Sequence, residues 1–466
     1  MRRSIKKFPP HDFPPLPPKP AGLSWRDYLI TLLRIAGEIE HALMTQYLYA
    51  AYSLGGPQAD KRADTVRGWR DTLLTIAREE MGHLITVQNM LLLMGGPISF
   101  ERHQHPWSSP FYPFEFNLER FSRTSLAHYV FAEMPTHVRD GEDRQVRDEV
   151  REIVKRDKPP AVGVIYDHII NLMADRTKVP DSAFDPGCYH YQVTWDEFGR
   201  GYRPDNKSPH ASEVNKPGND QRARVIVAQV VTRTDALAAL RDVAGQGEAE
   251  HYKFGDDDAE PSHFKRFVGM FSEFQKIRKE DPDWCPSRPV ATNPSADEVE
   301  ASVKGATPIR LQSSRTWAQL FNYRYRMLLL LLTYVYHVQR DPASRLTSLR
   351  AQVLARIFGE MYHMKAIAGV LVRMPLAHLG GAEMAGPPFQ LPFSLALPQG
   401  EENFWLGQLG LLDASGALAQ ELLKDPGPTP EEGKRFLMAL DETDRDARAW
   451  INRILKGGTF GWRTNA

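Results

Sequence analysis

The stretch Arg78-Glu79-Glu80-Met81-Gly82-His83-Leu84 decides how this chain is read. It lies within an apolar-periodic segment from about Asp64 to Met94, whose period marks a long helix. Glu80 and His83 stand three residues apart, so on a helix both side chains leave the same face about one turn apart. A carboxylate and an imidazole placed in this way reach a single metal ion. Glu79 competes for the same role from four residues before His83, but the Glu-x-x-His spacing selects Glu80. Glu79 is left as a surface charge or as a support behind the ligands.

A lone Glu three residues before a His arises often by chance. Here Glu360-Met361-Tyr362-His363 repeats the pattern within another helical segment, from Pro342 to about Arg373. Each motif helix follows a second long helix. The first of these opens at Ser24, a good N-cap with Asp27 three residues on, and runs to about Ser53 before Gly55-Gly56-Pro57. Glu40 lies on its core-facing stripe, with Leu43, Met44 and Tyr47 at i+3, i+4 and i+7. A carboxylate there is costly unless it is metal-bound or paired, with Arg34 or Arg78 as the competing partners. The helix before the second motif, about Thr316–Gln339, contains no acidic residue; Asn322 or a neighbour falls where Glu40 stands. Either the site is mononuclear or another segment supplies the carboxylate. Glu248 is the best candidate, with Glu250 behind it, because the small residues of Gly245-Gln246-Gly247-Glu248-Ala249 allow close backbone approach.

Two helical hairpins, each with a Glu-x-x-His, joined by a long crossover, make the ligand recipe of a ferritin-like four-helix bundle. The expected fold is therefore mainly α: a ferritin-like four-helix bundle with long insertions between the two helical hairpins and a helical C-terminal cap. The expected organisation is a proline-rich arm at 1–23, the bundle at 24–375 with its insertion at about 98–312, and the cap at 376–466. Within the insertion, Leu126–Met134, Val162–Met173, Thr234–Asp242 and the segment from Ser262 to about Lys279 read as helices, and Val225–Val231 as a strand or buried segment. His103, His105, His168 and His190 read as surface or structural, and Asp256–Asp258 as a solvated turn lacking the full calcium-loop pattern. The cap expects helices near Ala414–Lys424 and Glu431–Lys456.

Composition excludes other classes. Lysine plus arginine equals aspartate plus glutamate, 58 each, which argues against nucleic acid or an anionic membrane as partner. The apolar run Met327–Val335 is too short to span a bilayer. Met1–Lys7 is basic, but proline-rich sequence follows instead of an apolar core, so it does not read as a signal peptide. Two distant cysteines, Cys188 and Cys285, suggest a reduced, cytoplasmic setting and no thiolate metal site.

Ile39-Glu40-His41-Ala42-Leu43 with Gln46-Tyr47-Leu48-Tyr49-Ala50, the opening stretch, Gln246-Gly247-Glu248, and Ser262-His263-Phe264-Lys265-Arg266-Phe267 together resemble the ferritin-like domain of the iminophenyl-pyruvate dimer synthase family. In violacein biosynthesis that family oxidatively couples two imines derived from tryptophan. The resemblance covers about 24–280, and 313–375 by helix pattern. Ala249 stands where the family's glycine is expected, and the sequence is far shorter than the violacein enzyme. The resemblance thus implies a metal-dependent oxidase or oxygenase of specialised metabolism, with dioxygen as co-substrate and a small, amino-acid-derived substrate left open.

The expected metal ligands are Glu40, Glu80, His83, Glu248, Glu360 and His363, with Glu80 and Glu360 bridging. Carboxylates with two imidazoles suit iron, two ions by this recipe, or manganese. His263 is expected as a further ligand or a proton donor. Tyr47 and Tyr362 are set against ordinary core packing as donors behind the ligands. The other readings are an iron-handling ferroxidase and a non-catalytic ferritin-like scaffold, and a homo-oligomer is left open.

Overall fold

A computed structural model of the chain describes residues 17–106, 108–109, 111, 115–135, 144–155, 162–198, 224–248, 261–297, 305–340, 348–391 and 395–457. The described residues are mainly α-helical. Their only sheet is a parallel pairing of Pro294–Ser295 with Thr307–Pro308.

Two long helices, α1 (Trp25–Ser53) and α2 (Ala63–Leu93), pack side by side. Ser24 caps α1 by accepting a hydrogen bond from the Asp27 N–H at 3.0 Å. Most of both helices is buried, as an apolar stripe too wide for one partner requires. Residues 17–20 of the expected arm run back along α1, where the Tyr28 hydroxyl donates to the Pro17 carbonyl at 3.1 Å. Residues 1–16 lie outside the described residues.

The segment between 115 and 280 covers one face of this pair. It supplies α3 (Arg123–Ala132), α4 (Arg144–Val154), α5 (Val162–Ala174), α6 (Arg233–Glu248) and α7 (His263–Glu280). α5 packs on α1 and α6, and α3 packs on α4 and α7. The helix expected at Thr234–Asp242 continues to Glu248, because its last turn buries Gln246 and Gly247 against the α1–α2 pair.

Val225–Val231 is extended and joins no sheet. Polar side chains do the work of a neighbouring strand. Glu79 Oε1 accepts from the Arg224 N–H at 2.9 Å, and Thr86 donates to the Ile226 carbonyl at 3.0 Å and accepts from the Ala228 N–H at 3.1 Å. Asn89 donates to the Ala228 carbonyl, and Gln192 bonds both backbone groups of Val230. Glu79, Gly82, Thr86 and Asn89 form one row along α2. Gly82 lets the strap lie flat, since a Cβ there would sit 2.6 Å from the Ile226 carbonyl oxygen.

The remaining helices are α8 (Gln312–Val335), α9 (Leu349–Leu371), α10 (Glu401–Lys424) and α11 (Glu431–Gly457). α8 packs on α9 and α10, and α11 packs on α10 and α9. This group builds a second apolar core against the opposite face of α1 and α2. There the Tyr325 hydroxyl meets His41 Nε2 and the Tyr336 hydroxyl donates to the Ile85 carbonyl at 3.1 Å. So α8 and α9, expected as the second hairpin around the metal, join the C-terminal helices behind the bundle. α10 begins at Glu401, earlier than the expected helix near Ala414. No helix among the described residues is long and apolar enough to cross a membrane.

Candidate metal centre

Glu40 and Glu80 leave the facing sides of α1 and α2 and meet in the first core, with His83 one turn beyond Glu80. His83 Nδ1 lies 2.9 Å from Glu80 Oε2 and 3.4 Å from Glu40 Oε2. The segment covering this face adds two more groups. α3 ends at Glu133, whose carboxylate accepts from the Tyr47 hydroxyl at 2.5 Å. Ser262 caps α7 and thereby sets His263 at its first turn, with Nδ1 2.9 Å from Glu80 Oε1 and 3.9 Å from Glu133 Oε2.

The result is two triads that share one carboxylate: Glu40, Glu80 and His83, and Glu80, Glu133 and His263, all buried. A cavity of about 20 Å³ opens among Glu40, Glu80, His83, Glu133, Tyr166 and Gly247. That is room for about one water-sized ligand. Leu43, Val162 and Val243 make its apolar wall. Gly247 keeps α6 close, because a Cβ there would meet Glu133 Oε2 at 3.2 Å.

The partners behind the imidazoles fix their tautomers. Gln246 donates through its amide nitrogen to the Arg224 carbonyl at 3.0 Å, so its Oε1 accepts from His83 Nε2–H at 2.9 Å. Glu79 Oε2 accepts from His263 Nε2–H at 3.1 Å and is paired with Arg266. Each ring therefore turns Nδ1 toward the carboxylates. His263 Nδ1 and Glu80 Oε1 are both buried and form no hydrogen bond, although they lie 2.9 Å apart. Two buried polar atoms left without a hydrogen-bond partner so close together are what a missing shared ligand such as a cation would satisfy.

The electrostatics follow the same need. Burial, then the charges of Glu40 and Glu133, push the Glu80 carboxyl well above its ordinary value. Burial, with the Glu40 charge adding to it, moves Glu133 up to about 7 against the Tyr47 hydrogen bond. Burial would depress His83, but Glu80 and Glu40 hold it well above its ordinary value. Glu79 is held at about 2 despite burial, because Arg266 and His263 stabilise its charge. Burial keeps His263 near 4, with Arg266 opposing Glu79's upward pull. Three carboxylates and two imidazoles around one small cavity match the donor set of a carboxylate-rich transition-metal site, and a divalent cation would relieve the repulsion centred on Glu80.

Of the residues expected from sequence, Glu40, Glu80, His83 and His263 come together, with Tyr47 bonded to Glu133. Glu360 and His363 do not join them. Glu360 is buried between Arg356 at 2.7 Å and Arg324 at 3.4 Å, with His363 Nδ1 at 3.4 Å. Arg324 also pairs with Asp444 of α11. Here a guanidinium supplies the positive charge that a Glu-x-x-His otherwise takes from a metal, which corrects the ligand and bridging roles expected of Glu360 and His363. Tyr362 is 70% exposed and stands behind no ligand. Glu248 closes α6, and its side chain lies outside the described residues, as do Glu250 and Asp256–Asp258. His105 bonds the Phe116 carbonyl and Thr45, and His168 lies edge-on to Tyr28.

Sequence reasoning missed Glu133 and Tyr166. Glu133 ends an apolar run, Tyr129 to Ala132, as a buried carboxylate among apolar neighbours; the cost argument applied to Glu40 would have found it. Tyr166, whose hydroxyl donates to Glu40, sits in an apolar helix where nothing local separates it from a core tyrosine.

The model of the ferritin-like family matches residues 33–272, the span that contains both triads. Dichlorochromopyrrolate synthase of Lentzea aerocolonigenes is 28% identical over 396 residues, which are 79% of this chain and 36% of that protein. 2-Imino-3-(indol-3-yl)propanoate dimerase of Chromobacterium violaceum is 34% identical over 149 residues, 26% of this chain and 14% of that protein. The chain thus matches well under half the length of these curated relatives. No solved structure matches.

Proposed function

Because the chain belongs to the ferritin-like family, we propose that it is an enzyme of specialised metabolism whose buried cluster binds two iron ions, or two manganese ions, and oxidises a small amino-acid-derived substrate with dioxygen. The observation that carries this reading is the pair of triads sharing Glu80, with both imidazole Nδ1 atoms turned inward. The 2-imino-3-(indol-3-yl)propanoate dimerase relative suggests the substrate class, an indole-bearing 2-imino acid or a close analogue.

Glu40, Glu80 and His83 would hold one ion, and Glu80, Glu133 and His263 the other. Bound there, a metal pair supplies a redox couple and a Lewis acid for dioxygen. The protein contributes position and exclusion of water. Leu43, Val162 and Val243 wall the cavity, and Tyr166 and Tyr47 each hold a hydroxyl proton against a ligand carboxylate, at Glu40 and at Glu133 Oε1. Tyr166 lines the cavity, and Tyr47 stands behind Glu133, so both hydroxyls could serve as proton donors there.

Metal content per chain after reconstitution tests the reading. Wild type and His363→Ala are expected to retain about two ions of iron or manganese. His83→Ala combined with His263→Ala is expected to retain none, and metal-loaded wild type and His363→Ala, but not the double variant, should consume oxygen with an indolic 2-imino acid. Wild-type protein that takes up no metal defeats the proposal, and loss of metal in His363→Ala would move the centre to the other motif.

A further inference from the structure

The two triads are chemically unequal behind their imidazoles. His263 Nε2–H points at a carboxylate, Glu79, which also accepts from the Arg224 N–H and pairs with Arg266. His83 Nε2–H points at a neutral amide oxygen, that of Gln246. An anion accepting the remote ring proton pushes electron density onto the coordinating nitrogen and makes it a stronger donor than an amide does. The cavity is unequal in the same sense. Its lining includes all of Glu40, Glu80 and His83, whereas of the other triad it takes in Glu80 and Glu133 but not the imidazole of His263.

Resting on the two-metal reading above, we propose that the centre is divided into an anchored position and a reacting position, and that Glu79 is the positioning residue that sets the difference. An ion at Glu80, Glu133 and His263 would be the anchored one: its imidazole lies off the cavity and is backed by a charged carboxylate, so it is slow to leave. The ion at Glu40, Glu80 and His83 is the reacting one: open to the cavity, backed only by an amide, exchangeable. Glu40, Glu80 and His83 would thus hold the ion that a small ligand in the cavity could reach, and Glu80, Glu133 and His263 the ion that stays in place.

Helix geometry accounts for the same division of labour. Glu79 and Glu80 are adjacent on α2 and so leave it about 100° apart. One faces the cavity and the other the strap and α7. A single turn of helix thus carries both the shared ligand and the charge behind one of its neighbours.

A graded chelator titration, with metal per chain as the readout, tests this without reference to turnover. Loaded wild type is expected to lose its ions in two steps. Glu79→Gln should weaken the second-leaving ion by about 10- to 100-fold and merge the steps. Gln246→Ala should loosen the first-leaving ion alone and widen the gap, so the proposal stays testable if Glu79→Gln fails to fold. Two ions that leave wild type together, a second step unmoved in Glu79→Gln, or a second step moved in Gln246→Ala each overturn the asymmetry and leave the two-metal reading standing. Wild type that binds no metal overturns both.

Discussion

At the level of single residues, Glu40 shows what local spacing can reveal. Its place on an apolar stripe marks a buried carboxylate that needs a partner, and Glu80 with His83 follows from one turn of helix. Their partners lie far away in sequence: Glu133, Tyr166, Gln246 and His263 come from four other elements of the chain. Helical periodicity describes which way a side chain faces, not what faces it, so those pairings were out of reach. The motif at Glu360 misled for a related reason. A Glu-x-x-His has the same spacing whether a metal or an arginine answers its charge, and Arg324 comes from another helix. Tyr166 offers a direct test at this scale. Its hydroxyl donates to the buried Glu40 carboxylate, and a hydrogen bond to a charged group contributes roughly 1.5–3 kcal/mol. Tyr166→Phe is expected to lower the stability of the metal-free protein by about that much, measured by urea unfolding, with helix content unchanged.

Among the elements, the long helices were legible because burial imposes a strong period on them, and the caps at Ser24 and Ser262 behave as such residues do. The strap at Val225–Val231 was legible as a strand or buried segment, but not what satisfies its backbone, which is side chains of α2 and Gln192 and not a neighbouring strand. Gly82→Ala should force that strap away from α2, with a Cβ 2.6 Å from a carbonyl oxygen. A destabilisation of about 1–3 kcal/mol by denaturant titration is expected, as for other overpacked sites. The α8–α9–α11 contact carries a pH prediction. Arg324 and Arg356, with His363, outweigh burial and hold Glu360 at about 2, below its ordinary 4.5. A depressed carboxyl contributes stability in full above its unfolded value and loses it as pH falls toward the folded value. Glu360→Gln should therefore be less stable than wild type by about 3–5 kcal/mol near neutrality. Unfolding measured from pH 7 down to pH 3 in the presence of chelator should show that gap narrowing below about pH 4.5; a constant gap would contradict the charged pairing.

Across the whole molecule, the α1–α2 pair is a wall shared by two cores, one holding the Glu/His cluster and the other closed by α8–α11. Metal bound on one side, as proposed, would stabilise that side by mass action, by about 2.7 kcal/mol when free metal is 100 times its Kd. Hydrogen exchange followed by mass spectrometry, with and without chelator, should show faster exchange in peptides from α3, α7 and the cluster face of α2 on metal removal. Peptides from α9 and α11 should be unaffected. The reason lies in Arg324. A cell can run short of iron or manganese, but it cannot run short of a cation that is part of the polypeptide. The half of the protein whose buried acids are answered by guanidinium is complete when synthesis ends. If the cluster binds metal as proposed, the half built around Glu80 is finished by what its surroundings supply, and scarcity of metal would leave a folded protein waiting for its chemistry.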